Sequence, residues 1–275
     1  MLPNFLIIGS QKAGTTSLYN VLRQHPQIYM SETKEINFFF RSEVWQRGVK
    51  HYQSFFANVP ETAKAWGEAS PGYICHPTAP ERIHDLMPEV KLILVARNPI
   101  ERAYSQYWDN RRHLSEPRHF PEVVDLYLSD YYLPGAPGYF SRGVYMRYIR
   151  KYLGFFPPEQ LLALVFEDLV RDPVGFYRRV FEFLDVDADF DAGDFARAYN
   201  PAMIWSNPFY DFVINNPHYN RNIPMRMRRF FFWGKRSAFK YPPMPERIRE
   251  RLRAFYKPWN DELGEFLGRD LSEWQ

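Results

Sequence analysis

Cysteine is almost missing from this 275-residue chain: Cys75 is the only one, so no intrachain disulfide can form. The seven histidines show no paired metal-ligand spacing either, and no structural or catalytic zinc site is expected. No uncharged stretch approaches the roughly 18 residues of a membrane helix. The N-terminus has no basic segment leading into a cleavage site, so the expected location is the cytoplasm. Excess charge is scarce too. Lys and Arg total 35 against 32 Asp and Glu, a formal +3, too little for bulk attraction to nucleic acid, so any anion preference must come from local clusters. Internal repeats, low-complexity tracts and linkers are also absent.

What the chain does have is apolar mass. With 45% hydrophobic and 18% aromatic residues it can bury one large core, and a single domain over residues 1–275 is expected. Buried-strand signals at Phe5–Ile8, Ala65–Ser70, Val90–Ala96 and Leu161–Phe166 alternate with helical ones. The helices are expected at Thr15–Gln24, Pro77–Met87, Pro99–Arg111, Tyr139–Phe155 and, capped by Asp172, Pro173–Leu184. This alternation predicts the α/β class: one P-loop-type domain whose central parallel β-sheet is covered by helices on both faces. Residues 200–245 show no period and are expected to be irregular. Helical spacing returns over about 245–268, with Pro258 expected to break or kink it.

The most informative segment is Phe-Leu-Ile-Ile-Gly-Ser-Gln-Lys-Ala-Gly-Thr-Thr, residues 5–16. A buried strand runs into a glycine-bracketed turn, Gly9 to Gly14, and a helix follows. Main-chain N–H groups at such a helix start lack intrahelical partners, and the helix dipole favours anions there. The loop departs from the ATP-binding pattern G-x-x-x-x-G-K-[ST], since Thr15 stands where lysine is required and the only lysine is Lys12, inside the loop. A lysine so placed meets a different point of the phosphate chain and suits a nucleotide with a shorter anionic chain.

Further motifs follow in order: Lys-Glu-Ile-Asn-Phe-Phe, Glu-Ala-Ser-Pro, Arg-Asn-Pro-Ile-Glu-Arg-Ala-Tyr-Ser, Gly-Lys-Arg-Ser-Ala-Phe-Lys-Tyr-Pro and a closing Leu-Gly-Arg-Asp-Leu. The combination resembles the sulfotransferases that use 3′-phosphoadenosine 5′-phosphosulfate (PAPS), in the branch of the heparan-sulfate enzymes and their bacterial relatives, over nearly the whole chain. The resemblance implies that Lys12, Ala13, Gly14, Thr15 and Thr16 hold the 5′-phosphosulfate. Lys12 would stabilise the charge that grows on the leaving phosphate, the product being adenosine 3′,5′-bisphosphate, with no metal required. It implies that Arg97 and Ser105 take the 3′-phosphate; taken singly, each also reads as an ordinary surface residue. Arg236, Ser237, Ala238, Phe239 and Lys240 would form a loop closing over the nucleotide, with Phe239 against adenine.

The resemblance gives Glu35 the role of general base toward a hydroxyl or amine acceptor, most simply a carbohydrate or glycolipid. His76 is the alternative base. Arg221–Lys240 contains seven Lys or Arg and no acid, which suits an acidic acceptor, a membrane surface, or a solvated basic face. Two departures limit transfer from the secretory enzymes: Ala69 stands where glycosaminoglycan-modifying members carry lysine, and the disulfide bracing their late nucleotide loop cannot form. Two other readings compete. A P-loop nucleotide or small-molecule kinase would consume ATP with magnesium, and a non-catalytic polyanion-binding module would bind through the basic cluster without turnover.

Overall fold

The computed structural model describes residues 1–129, 138–193, 195, 202–216, 219, 227, 230 and 232–274. In chain order the elements discussed are β1 (Phe5–Gly9), α1 (Thr15–Leu22), β2 (Ile28–Met30), α2 (Ser42–Trp45), α3 (Gly48–Ser54), β3 (Ala65–Ala69), α4 (Ala79–Leu86), β4 (Lys91–Ala96), α5 (Pro99–Arg112) and α6 (Phe120–Tyr127). There follow α7 (Tyr145–Leu153), β5 (Leu161–Val165), α8 (Phe166–Arg171), α9 (Pro173–Phe183), β6 (Met203–Ser206), α10 (Pro208–Asn215), β7 (Lys235–Ala238) and α11 (Glu246–Leu267). The chain forms two compact units. One comprises Met1–Asn98, Tyr145–Tyr199 and Glu262–Arg269; the other comprises Pro99–Val144, Asn200–Asp261 and Asp270–Gln275.

The first unit is built on a five-stranded parallel sheet in the order β2-β3-β1-β4-β5. Strand β1 and, beyond Lys91, strand β4 are apolar without alternation because both faces are covered, as the sequence implied. Phe5, Ile7, Ile93 and Val95 point to one face, where Leu18, Val21 and Leu22 of α1 meet Phe176, Tyr177, Val180 and Phe181 of α9. On the other face Leu6, Ile8, Leu92 and Leu94 are equally buried, under a layer that includes α4, α7 and the 3₁₀ turn Tyr73–Cys75. With all strands parallel, the loops after β1, β3 and β4 leave the sheet at one edge, where open α/β sheets bind ligands.

Several elements depart from the sequence expectation. The helix expected over Tyr139–Phe155 is only α7, preceded by a 3₁₀ turn at Ser141–Gly143 and a non-helical Val144. Gly143 packs so closely that a Cβ there would lie 2.7 Å from Pro99, and that packing outweighs helical periodicity. Phe166 starts a short helix, α8, instead of ending β5. Asp172 caps α9 as expected, accepting the Gly175 N–H.

In the second unit, α5, α6 and the early part of α11 bury Tyr104, Tyr107, Phe120, Val123, Leu252 and Tyr256 in one cluster. The stretch expected to be irregular contains β6, α10 and β7. β6 and β7 pair antiparallel, Met203 opposite Ala238 and Ser206 opposite Lys235, and pairing across so long a separation leaves no local period to read. α11 runs through Pro258 without a break. A proline inside a helix costs about 3 kcal/mol, and the apolar side chains buried on both sides of it, Ile248, Leu252, Tyr256 and Leu263, offset that cost.

Candidate active site

The loop after β1 is fastened to the sheet. Ser10 donates through both its N–H (3.0 Å) and its Oγ (2.8 Å) to the Val95 carbonyl, tying the loop to β4. The Ala13 side chain is fully buried in the sheet cluster, so only its main chain is available to a ligand. Lys12 and Gly14 both have left-handed backbone, φ 69° and 81°. At Gly14 a Cβ would also come within 2.9 Å of Phe166, so glycine is required there both for conformation and for space. Gly14 is the N-cap of α1, makes no side-chain cap, and is followed by a first turn without an acid. The start of α1 therefore presents main-chain donors and a positive dipole end to an anion.

Arg97 follows β4 directly. Its guanidinium donates to the Lys12 carbonyl at 2.8 Å and lies over the Phe166 ring, 4.8 Å from the centroid. The buried Tyr145 hydroxyl holds its main chain, accepting the Arg97 N–H at 3.2 Å and donating to the Arg97 carbonyl at 2.8 Å. Glu167 accepts the Asn98 N–H at 3.0 Å. The structure thus brings together Lys12, Gly14 and Arg97 from loops far apart in sequence.

Glu35 is exposed, on a turn fixed to the end of β3. Its N–H donates to the Ala69 carbonyl at 3.0 Å, and its carboxylate is paired with Lys34 at 2.9 Å. His76, the alternative base, is half-buried with its ring 5.2 Å from that of Phe40. Burial, reinforced by the Arg82 cation, lowers its pKa below the usual histidine value. Among the described residues no three His, Cys, Asp or Glu side chains gather into a metal-binding group.

In the second unit Ser105 lies on α5, its Oγ 3.3 Å from the Tyr241 hydroxyl. Arg236, Ser237, Ala238 and Lys240 are exposed on or just beyond β7. Arg236 sits over the Trp205 ring at 5.6 Å. Phe239 is half-buried, edge-on to Trp108 at 5.2 Å, with its N–H bonded to the Ala202 carbonyl at 2.8 Å. Most of the basic cluster's upstream part, including Arg221, Arg226, Arg228 and Arg229, lies outside the described residues.

A family model for the sulfotransferase domain matches residues 2–267. The chain belongs to the sulfotransferase family. A sulfotransferase from Alicyclobacillus acidocaldarius superposes with a TM-score of 0.74 at 28% identity, covering 100% of this chain and 99% of that one. Heparan sulfate glucosamine 3-O-sulfotransferase 6 of Mus musculus is 29% identical over 98% of this chain and 73% of its own length. Bifunctional heparan sulfate N-deacetylase/N-sulfotransferase 3 of Homo sapiens is 30% identical over 99% of this chain. The chain spans only 31% of that bifunctional protein. A mouse sulfotransferase solved with PAP, SULT7A1, shares the fold with a TM-score of 0.53 at 16% identity. The α/β fold with its central parallel sheet and the sulfotransferase class expected from the motifs both stand.

Four residues not named as candidates from the sequence contact the candidate site residues or lie beneath them. Phe166 and Tyr145 hold Arg97, and Tyr241 meets Ser105. Glu68 sits fully buried beneath the Glu35 turn. Phe166 and Tyr145 are aromatic residues outside the quoted motifs of an aromatic-rich chain, and only the fold tells them from core; Tyr241 stands in Gly-Lys-Arg-Ser-Ala-Phe-Lys-Tyr-Pro, but its meeting with Ser105 is not visible there. Glu68 did stand out as part of Glu-Ala-Ser-Pro, but its burial is invisible in sequence.

Proposed function

We propose that this sulfotransferase moves a sulfuryl group from PAPS to a hydroxyl or amine acceptor and leaves adenosine 3′,5′-bisphosphate. The observation that carries this reading is the Gly14 start of α1, where main-chain donors, a left-handed glycine and the adjoining Lys12 form an anion cradle with no acid in the helix's first turn. Those features fit a phosphosulfate. When bound, PAPS supplies an activated sulfuryl group whose bond to the phosphate oxygen breaks as the acceptor's bond to sulfur forms. Lys12 and the first-turn N–H groups of α1, Thr15 and Thr16 among them, stabilise the negative charge on the departing phosphate. Glu35 accepts the acceptor's proton, a contribution typical of general bases at about 10²–10⁴-fold in rate.

The 3′-phosphate is assigned to Arg97 and Ser105, and the nucleotide-covering role to Arg236, Ser237, Ala238, Phe239 and Lys240. The planar guanidinium fork of Arg97 supports its part in this. For the acceptor we assign a carbohydrate or glycolipid, in line with the heparan sulfate relatives. Membrane-surface contact through Arg221–Lys240 is part of the same reading. No helix of the described residues is long and apolar enough to cross a membrane. We assign the protein to the cytoplasm, a reading in keeping with Cys75 being a free thiol and the only cysteine.

The test is calorimetric titration with adenosine 3′,5′-bisphosphate, 5′-AMP and Mg-ATP. Tight binding that weakens sharply without the 3′-phosphate is expected. Equal or better binding of Mg-ATP would sink the assignment in favour of phosphoryl transfer.

A further inference from the structure

Glu68 occupies a position in the sheet where an apolar side chain belongs. It lies on β3, next to the central strand, and is completely buried. An ionised carboxylate can only accept hydrogen bonds, and burying one without compensation is expensive. Its partners are three hydroxyls. Ser70 donates to Oε2 at 2.6 Å, and Tyr73 and Tyr52 donate to Oε1 at 2.6 and 3.2 Å.

The bond to Ser70 has a consequence on the other side of that hydroxyl. With its proton directed at Glu68, the Ser70 oxygen turns lone pairs outward and accepts the Asn37 N–H at 2.9 Å. The same turn is tied at the Glu35 N–H to the Ala69 carbonyl (3.0 Å) and closed by Asn37 Nδ2 on the Glu35 carbonyl (2.7 Å). It needs holding. Glu35 and Asn37 both have left-handed backbone, φ 60° and 56°, which is unfavourable for a non-glycine residue and persists only where the surroundings enforce it.

We propose that Glu68 is a positioning residue for sulfuryl transfer: through the Ser70 hydroxyl it fixes the left-handed turn that carries Glu35, and so sets how Glu35 faces the acceptor. The inference rests on Glu35 being the base. The groups that face Glu68 are Ser70 at the end of β3, Tyr73 from the 3₁₀ turn, Tyr52 from α3 and, by its charge, Glu35 from the turn itself. Burial holds both tyrosines well above their usual pKa, so they remain hydroxyls. Burial, with Glu35 adding to it, raises Glu68 to about 7. Above that pH the carboxylate requires all three hydroxyls to donate; below it the carboxyl proton competes for one of those contacts, and the hold on Ser70 loosens.

The experiment compares Ser70→Ala, Ser70→Thr, Glu68→Gln and wild type. It measures release of adenosine 3′,5′-bisphosphate from PAPS with desulfated heparan sulfate as acceptor, calorimetric affinity for the bisphosphate, and amide hydrogen exchange at Glu35 and Asn37. Ser70→Ala is expected to lower kcat about 10- to 100-fold, the cost typical of a small misplacement of a reacting group, while bisphosphate affinity stays unchanged. Ser70→Thr restores the rate. Asn37 exchanges faster in Ser70→Ala, and Glu68→Gln loses the inflection of kcat near neutral pH. Wild-type kcat with unchanged Asn37 exchange in Ser70→Ala would overturn the proposal, as would a rate loss matched by an equal loss of nucleotide affinity. Exchange needs no acceptor, so unchanged exchange at both amides overturns the proposal even if this polysaccharide is not sulfated. Failure of the sulfotransferase reading has a different signature, wild-type protein that does not bind the bisphosphate.

Discussion

The Arg97 guanidinium donates to the main-chain carbonyl of Lys12 across 2.8 Å. The residue that leaves β4 thus braces the loop that leaves β1, and the stacking of Arg97 on Phe166 keeps the guanidinium plane from swinging away. Arg97 therefore has a bracing role in the structure beside the phosphate-binding role proposed for it.

Those two roles separate under mutation. Arg97→Ala should weaken adenosine 3′,5′-bisphosphate binding about 10- to 100-fold, in keeping with the roughly 1.5–3 kcal/mol of a hydrogen bond to a charged group. The loss for 5′-AMP, which lacks the 3′-phosphate, should be clearly smaller. Calorimetry on both ligands checks this; equal losses would assign Arg97 to bracing alone.

Gly14→Ala combines a left-handed backbone with a Cβ 2.9 Å from Phe166. The expected cost is about 1–3 kcal/mol of stability together with weakened bisphosphate binding. Urea unfolding and titration measure the two effects. A variant as stable as wild type, with full affinity, would remove Gly14 from the cradle.

Glu35→Ala should lose about 10²–10⁴-fold in kcat while binding the bisphosphate normally, because the carboxylate acts on the acceptor and not on the nucleotide. His76→Ala is expected to keep most turnover. The reverse pattern in steady-state rates would transfer the base role to His76.

Glu68 makes stability depend on pH in a direction opposite to that of most buried acids in ion pairs. Its pKa is raised in the folded state from 4.5 to about 7, so between those values the folded protein binds a proton that the unfolded chain releases. The stability this confers is fully present below about pH 4.5 and is lost as pH rises through 7. Wild type should therefore lose more thermal stability than Glu68→Gln between about pH 5 and pH 8. Parallel Tm-against-pH curves would contradict the assignment.

Much of this was legible in the residues themselves. Phe5–Gly9 and Leu92–Ala96 are unbroken apolar runs ending in polar turns, and short runs bounded by turn signals suit strands buried on both faces, so the parallel sheet could be read from them. The glycine at residue 14 and the lysine at residue 12 suggested the proposed anion site because their chemistry is local. Asp172 announced its helix for the same reason.

What the sequence could not settle was everything that depends on pairing at a distance. β6 and β7 find each other across some thirty residues of irregular composition, and Gly143 ends a periodic pattern because of what it packs against. The site divides the same way. Sequence determined the family and supplied the candidates proposed for the anion cradle and the base, since each is written in contiguous residues whose hydrogen-bonding capacity is intrinsic. Only the tertiary structure decided that Arg97 bonds to Lys12 and that a buried Glu68 reaches Glu35 through Ser70 and Asn37. Hydrogen bonds between residues far apart in the chain exist only after the sheet has set their distance, and burial, which gives Glu68 its altered acidity, is a property of the fold and not of the residue.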